Sequence, residues 1–130
     1  MTSMSDPAHL GAIARAFRHS LDGIAAALRE RAFVQELVVI VPLVVVAWVL
    51  PFTLVERALL TASLLGILLV EILNSAIEAV VDLASPQRHA LAKRAKDLGS
   101  AAVLVAIGIA AITWGCVLIA HYGPGATSAH

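Results

Sequence analysis

Three long apolar segments constrain this chain more than any other feature of its sequence. They cover residues 37–55, 58–81 and 98–120, and the first and third contain no charged side chain. About 20 consecutive, mainly apolar residues are enough for a helix to cross the hydrocarbon core of a bilayer. An isolated strand cannot satisfy its backbone hydrogen bonds in lipid, so each segment is predicted to be a helix. The sequence therefore predicts an all-α membrane protein with three transmembrane helices.

The composition agrees with this prediction and excludes other classes of protein. Hydrophobic residues make up 60% of the chain and charged residues only 14%, whereas soluble domains are about 45–50% apolar and about 25% charged. The formal net charge is zero, which does not indicate a nucleic-acid-binding protein. Cys116 is the single cysteine, so an internal disulfide and zinc-type cysteine spacing are both excluded.

The segment before the first span has a different pattern. Across residues 8–33, apolar side chains recur every three or four positions and basic side chains fall between them, which predicts an amphipathic helix lying on the membrane surface. Pro7 suits the start of that helix. The apolar positions are Leu10, Ile13, Phe17, Leu21, Ile24 and Leu28. We therefore expect residues 1–36 to form a tail and surface helix, residues 37–120 a transmembrane domain, and residues 121–130 a flexible tail.

The basic residues predict the orientation of the chain in the membrane. Of the nine lysines and arginines, all except Arg57 lie before the first span or between the second and third spans. Short cytoplasmic loops carry an excess of lysine and arginine. The N-terminus is therefore predicted to lie in the cytoplasm and the C-terminus outside. Arg57, beside Glu56, is interpreted as an anchor at the outer interface.

Polar residues in the second span form one stripe. At about 100° per residue, Glu71, Asn74, Ser75, Glu78 and Asp82 fall within a sector about 100° wide. A carboxylate at the centre of a bilayer costs about 2.5–3.5 kcal/mol on insertion scales. Glu71 and Asn74 could serve only as hydrogen-bonding groups between helices. Because no span contains a basic residue to neutralise the two glutamates, we favour a functional carboxylate site near the cytoplasmic surface.

The loop between the second and third spans holds a cluster of basic residues. Lys96 and Asp97 immediately precede the third apolar segment, and a cation beside free backbone N–H groups at a helix start would suit a phosphate. This signal is weak alone, because basic loops are ordinary on the cytoplasmic side. The chain has no GxxxxGK[ST] motif, so a nucleotide site would not be a P-loop.

Two motifs resemble a known family. VEILNSAIEAVVD at residues 70–82 and RAKDLGSAAVL at residues 94–104, together with ERAFVQE at residues 30–36, are similar to the prokaryotic diacylglycerol kinases, which are small three-span enzymes unrelated to soluble kinases. The resemblance covers about residues 10–120. It implies a homotrimer in the bacterial inner membrane that uses MgATP to phosphorylate the hydroxyl of diacylglycerol at the cytoplasmic interface, giving phosphatidic acid.

The same resemblance implies roles for individual residues. Glu71 matches the general base, and Asn74 matches a polar residue of the active site. Glu30 and Glu78 match positions that bind Mg²⁺ and the nucleotide. Other matched positions contact the nucleotide (Gln87, Arg88, His89, Lys96 and Asp97) or the lipid (Ala32, Phe33, Val34, Gln35, Glu36, Arg57, Glu71 and Ser100).

The chain departs from the family pattern in its N-terminal part. Ala12 stands where family members usually carry an arginine that helps to bind ligand. The stretch between Gly23 and Glu30 is one residue shorter than usual. Because one deleted residue rotates a helix by about 100°, no role is assigned to positions before Glu30.

Two other interpretations of the sequence predict different functions. Undecaprenol kinases share the fold and the motifs, although residues 94–100 look closer to the diacylglycerol branch. A small proton-coupled transporter would also use an intramembrane glutamate. It would need access from both sides of the membrane, whereas the polar stripe here is confined to the cytoplasmic half.

Overall fold

The computed structural model describes residues 7–85 and 89–124, which fold into four helices. They are α1 (Pro7–Ala27), α2 (Arg31–Val49), α3 (Leu54–Ala84) and α4 (Ala90–Tyr122). Helices α2, α3 and α4 are each long and apolar enough to cross a membrane. The described ranges contain no strand. The predicted fold class, an amphipathic helix followed by three membrane-spanning helices, is confirmed.

Several helix ends differ from the predicted bounds. Helix α1 begins at Pro7 but ends at Ala27, so the amphipathic pattern of residues 8–33 is broken by a turn before Arg31. Helix α2 ends at Val49, well before the predicted end of the first span at residue 55, because Pro51 forces the preceding Leu50 into an extended conformation. Helix α4 begins at Ala90, more than two turns before the third apolar segment.

Local hydrogen bonds shape the connection between α2 and α3. Thr53 and Glu56 form a capping box, in which the Glu56 N–H donates to Thr53 Oγ1 at 3.3 Å and the Thr53 N–H donates to Glu56 Oε2 at 2.7 Å. Arg57 Nη2 donates to the Leu50 carbonyl at 3.2 Å. We refer to this end of the helix bundle, residues 50–57 and the end of α4, as the loop end.

Helix α3 lies at the centre, and both α2 and α4 pack against it. Two buried apolar clusters hold the three helices together. Large apolar side chains on all three helices point outward and are exposed, which is favourable in lipid and would promote aggregation in water. The clusters consist of Ile40, Leu64, Ile67, Ala106 and Ala110, and of Ala47, Phe52, Leu60 and Val117.

The opposite end of the bundle carries most of the charged residues. It is formed by residues 28–36, 71–85 and 89–100, and is called the charged end. Helix α3 has 31 residues and is therefore about 46 Å long, whereas the hydrocarbon core of a bilayer is about 30 Å thick. The last turns of α3 and the first turns of α4 can thus extend into the interface.

Candidate active site

The deep part of the α3 polar stripe, Glu71 and Asn74, is buried by the packing of the three helices. Glu71 is 5% exposed and Asn74 is 8% exposed, and they are the buried polar side chains among the described residues. Helix α3 is central, so this part of the stripe faces the neighbouring helices rather than the surroundings. The sequence predicted this stripe, and the structure places its deepest members inside the bundle.

Carboxylates from two helices gather around Glu71. Glu78, one helical turn beyond Asn74, and Glu30, just before α2, both lie close enough to interact electrostatically with Glu71. Glu36 of α2 also interacts with Glu71. The salt bridges found in residues 7–85 and 89–124 involve none of these four glutamates. Like charges in a poorly solvated place repel each other, so the cluster favours a bound cation or proton.

These carboxylates do not form a complete metal site by themselves. Within the part of the chain that the structure describes, no group of three or more His, Cys, Asp or Glu side chains is arranged to hold a metal ion. Mg²⁺ in kinases is usually held by one or two carboxylates together with phosphate oxygens and water. Glu30 and Glu78 could supply the one or two carboxylates that such a site needs.

Asn74 connects the stripe of α3 to α4. Its Nδ2 donates a hydrogen bond to Glu78 Oε1 at 3.2 Å, whereas its buried Oδ1 has no partner among the described residues. Gly99 of α4 is buried directly opposite, and a Cβ atom at this position would overlap Asn74 Oδ1. The missing side chain of Gly99 therefore allows α4 to approach α3 at Asn74. The sequence contained this glycine within a motif but did not predict its role.

The first turns of α4 bring cations to the charged end. Lys96 Nζ lies 2.5 Å from Asp82 Oδ1 of α3, and Lys93 Nζ lies 2.6 Å from Asp97 Oδ2 on the same face of α4. His89 caps the helix, because its Nδ1 accepts a hydrogen bond from the Leu91 N–H at 3.2 Å. Lys96 thus lies beside the end of the polar stripe, whereas Asp97 pairs with Lys93 along α4.

One prediction about this region is wrong. Lys96 and Asp97 were expected to precede free N–H groups at a helix start, but the helix begins at Ala90. The backbone N–H groups that follow Asp97 lie inside α4, where they bond to carbonyls of the preceding turn. Any phosphate contact here would therefore come from side chains rather than from a helix terminus.

A groove runs between α2 and α4, with α3 as its floor. Its volume is about 590 Å³, and its walls are mostly apolar. Two of its polar atoms, Glu36 Oε2 and Trp114 Nε1, are buried without a hydrogen-bond partner in the described ranges. An apolar groove with a few polar atoms is typical of a site for a hydrophobic ligand that carries a polar group. The lining residues are Ala32, Gln35, Glu36, Val39, Ile40, Leu43, Leu64, Ile67, Ile107, Ala110, Ala111 and Trp114.

Trp114 is the groove residue whose place the sequence did not predict. The structure packs it against the apolar core and the groove. The amphipathic character of tryptophan was the available signal, since its N–H needs a partner when the ring is buried.

The other predicted residues are distributed more widely. Gln87 and Arg88 lie outside the described residues. Phe33 is buried, Val34 and Ser100 are exposed, and Ala32 lines the groove with Gln35 and Glu36. Arg57 is at the loop end, 14 positions before Glu71 in α3, which corresponds to about 21 Å along the helix. The structure does not bring Arg57 together with the carboxylate cluster.

Comparison with known sequences decides the family. A family model described as prokaryotic diacylglycerol kinase matches residues 18–118. The chain belongs to this family. The matched region contains α2, α3 and most of α4, including all the carboxylates described above. The family predicted from the motifs is confirmed.

Individual members of the prokaryotic diacylglycerol kinase family are similar over most of their length. The diacylglycerol kinase of Escherichia coli K12 is 48% identical over 112 residues, which cover 85% of this chain and 92% of that protein. The diacylglycerol kinase of Pseudomonas aeruginosa is 47% identical over 108 residues, covering 82% and 88%. A Helicobacter pylori diacylglycerol kinase is 36% identical over 109 residues, covering 83% and 85%.

Proposed function

We propose that this protein is a diacylglycerol kinase, which transfers the γ-phosphate of ATP to the free hydroxyl of diacylglycerol to give phosphatidic acid and ADP. The observation that carries this proposal is the carboxylate stripe of α3, with Glu71 buried and deepest and Glu78 toward the charged end. An apolar groove lies beside the stripe and cationic side chains lie at its end. Family membership and the names of the relatives support the same activity.

The charged end is proposed to face the cytoplasm of the bacterial cell, with the protein in the inner membrane. The distribution of lysine and arginine supports this orientation, because all except Arg57 belong to segments on that side. ATP would then reach the charged end from water, while diacylglycerol would enter the groove from the bilayer. The length of α3 beyond the hydrocarbon core supports a site that lies at this boundary.

Glu71 is proposed as the general base of the reaction. It accepts the proton of the diacylglycerol hydroxyl while the hydroxyl oxygen bonds to the γ-phosphorus. The bond between the γ-phosphorus and the oxygen that bridges to the β-phosphorus breaks, and ADP leaves. Asn74 holds the Glu78 carboxylate through its 3.2 Å hydrogen bond. Because phosphoryl transfer depends mainly on position and charge neutralisation, fixing these side chains is a large part of the catalysis.

Glu30 and Glu78 would hold Mg²⁺ together with the nucleotide. The mutual repulsion of the glutamates around Glu71 supports a bound cation, and carboxylate oxygens are ligands that Mg²⁺ prefers. The ion would neutralise negative charge on the phosphates. Lys96 would donate hydrogen bonds to the outer phosphates, and Asp97 and His89 would contact the rest of the nucleotide together with Gln87 and Arg88.

The lipid is proposed to lie along the groove between α2 and α4. Gln35 and Glu36 offer polar atoms to the glycerol backbone, Trp114 offers its N–H farther along the groove, and the apolar walls contact the acyl chains. One protomer is small for a site with two substrates, so we propose a homotrimer in which neighbouring subunits help to enclose the site. The exposed apolar faces of all three spans are able to pack against other subunits as well as lipid.

The direct test is an assay of the purified protein in mixed micelles containing diacylglycerol and MgATP. We expect phosphatidic acid and ADP to form in equal amounts, and neither to form without the lipid. Undecaprenol is the informative competing substrate, because its kinases share the fold. A higher kcat/KM for undecaprenol than for diacylglycerol, or no lipid phosphorylation by a folded preparation, would contradict the proposal.

A further inference from the structure

An ion pair joins α3 to α4 at the charged end, and the proposed reaction leaves one of its members without a role. Lys96 Nζ lies 2.5 Å from Asp82 Oδ1. Asp82 belongs to the polar stripe and follows Glu78 by one helical turn. The Lys96 side chain is 38% exposed and that of Asp82 is 66% exposed. The pair is therefore accessible from water, as a nucleotide site must be.

The ion pair limits the positions that the Lys96 ammonium group can occupy. A lysine side chain has a flexible four-carbon stem, and a free ammonium group is distributed over many rotamers. Contact with Asp82 holds it across the gap between α4 and α3. An ammonium group has three N–H donors, so it can keep one hydrogen bond to Asp82 while it donates another to a phosphate oxygen.

The other lysine of this turn is not available for the same purpose. Lys93 lies 2.6 Å from Asp97, four residues along the same helix, so this pair does not join α4 to α3. Lys93 and Lys96 thus carry the same charge but have different partners. Of these two ion pairs, the one formed by Lys96 and Asp82 fixes a cation relative to the glutamates of α3.

We propose that Asp82 is a positioning residue, which holds the Lys96 ammonium group next to the Glu78 turn, where it meets the terminal phosphates of the nucleotide. This proposal rests on the proposed kinase function. Asp82 itself does not contact the reacting atoms and acts through Lys96. An exposed ion pair adds little to stability, so replacing Asp82 changes nucleotide binding without unfolding the protein.

The test uses steady-state kinetics of the full-length protein in mixed micelles. For Asp82→Asn we expect the KM for MgATP to rise about five- to tenfold, the scale of one weakened charge-assisted hydrogen bond. We expect kcat and the KM for diacylglycerol to change less than about twofold, since neither depends on holding the ammonium group before binding. Asp82→Glu should restore most of the affinity, because its carboxylate can still reach Lys96.

A matched control separates position from charge. Asp22 is an exposed aspartate of α1, and Asp22→Asn removes the same charge from the same predicted side of the membrane. We expect this control to leave the KM for MgATP unchanged. Addition of Asp82→Asn to a Lys96→Gln variant should raise the KM no further, because the group that Asp82 positions is already absent.

Several outcomes would overturn the proposal. An unchanged or lower KM in Asp82→Asn would show that Asp82 does not position Lys96, or that it competes with the phosphates. An equal rise of the KM in the Lys96→Gln background would mean that Asp82 acts independently of Lys96. If the wild type is active and Asp82→Asn leaves the KM for MgATP unchanged, only this role of Asp82 is refuted. If the wild type is folded but inactive, the kinase function and this role are refuted together.

Discussion

Four side-chain polar atoms among the described residues are buried without a hydrogen-bond partner, and three of them lie where a substrate is proposed to bind. The three are Asn74 Oδ1, Glu36 Oε2 and Trp114 Nε1, and the fourth is Arg57 Nε at the loop end. A buried polar atom that makes no hydrogen bond costs about 1–3 kcal/mol. Such a cost is retained where a ligand, water or a neighbouring subunit supplies the missing bond. The three atoms near the proposed substrate sites thus indicate where polar groups of the substrates would bind.

The part that the indole N–H of Trp114 plays in lipid binding can be tested by substitution. Trp114→Phe keeps an aromatic ring in the groove but removes the unpartnered donor. We expect the KM for diacylglycerol to rise about fivefold, as for the loss of one hydrogen bond of about 1 kcal/mol, while the KM for MgATP stays the same. Steady-state kinetics with each substrate varied in turn measures both values.

Trp48 provides the control for this substitution. Its Nε1 already donates to Thr61 Oγ1 at 3.1 Å, and it lies toward the loop end. Trp48→Phe should leave both KM values unchanged. If Trp114→Phe affected the nucleotide and the lipid equally, or neither of them, Trp114 would have no specific part in lipid binding.

Some residues of the site could be predicted from the sequence and others could not. The helical period of 3.6 residues places Glu71, Asn74 and Glu78 on one face without any knowledge of the fold. The place of Trp114 in the groove could not be predicted, because the face that α4 turns toward the groove depends on how the three helices pack. The pairing of Lys96 with Asp82 likewise depends on the alignment of α3 and α4, which no local pattern specifies.

At the level of helices, the approach of α4 to α3 at Gly99 determines the geometry of the site. Gly99 is buried, and a Cβ atom there would overlap the Asn74 side chain. The same amide donates to Glu78. A Cβ atom at position 99 that rotates the Asn74 side chain would therefore break the contact that holds a carboxylate proposed to bind metal.

Gly99→Ala is predicted to lower kcat about tenfold or more, because the displaced amide no longer holds Glu78. Helix propensity alone predicts the opposite sign, since alanine is favoured over glycine by about 1 kcal/mol inside a helix. Gly108 and Gly115 of α4 have nothing near the position of an added Cβ atom. Gly108→Ala and Gly115→Ala should therefore keep full activity, and the comparison of kcat in detergent micelles measures the difference.

A second measurement separates an effect on Asn74 from general damage. In an Asn74→Ala background the overlap is removed, so Gly99→Ala should cause little further loss. An equally large loss in both backgrounds would mean that Gly99 acts on the fold as a whole and not through Asn74.

The helices themselves were predictable in number and type, but their ends were not. Apolar segments long enough to span a bilayer are visible directly in the sequence. The hydrophobic pattern ends at the membrane surface, whereas the helical hydrogen bonding of α4 continues through charged residues from Ala90. Pro51 ends α2 earlier than the apolar pattern does, because it disfavours a helical conformation at Leu50.

At the scale of the whole molecule, the bundle has two chemically different ends. The charged end holds the glutamates, Lys93 and Lys96, while the loop end holds a capping box and an aromatic cluster of Phe52, His121 and Tyr122. The apolar exterior between them is suited to lipid. The sequence predicted this division because basic residues are distributed so unequally, and the proposed entry of ATP at one end depends on it.

The orientation can be tested by cysteine labelling in a Cys116→Ala background. Asp22→Cys is predicted to react with a membrane-impermeant maleimide only after the membrane is permeabilised, because α1 is proposed to lie on the cytoplasmic side. Tyr122→Cys, at the exposed end of α4, should react in intact spheroplasts. The reverse pattern would place the carboxylate cluster at the surface that ATP does not reach.

We propose that the acidic residues of the α3 stripe, with the buried Glu71 foremost, serve catalysis rather than helix packing, and Glu71→Gln distinguishes these two roles. The glutamine keeps the size and hydrogen-bonding capacity of the side chain but removes its charge and its ability to accept the lipid proton. We predict that kcat falls about 10²- to 10⁴-fold, as expected for loss of a general base. The thermal midpoint in detergent should be equal or higher, because a buried charge next to other carboxylates has been removed. A kcat near that of the wild type, with or without lower stability, would mean that Glu71 is not the general base.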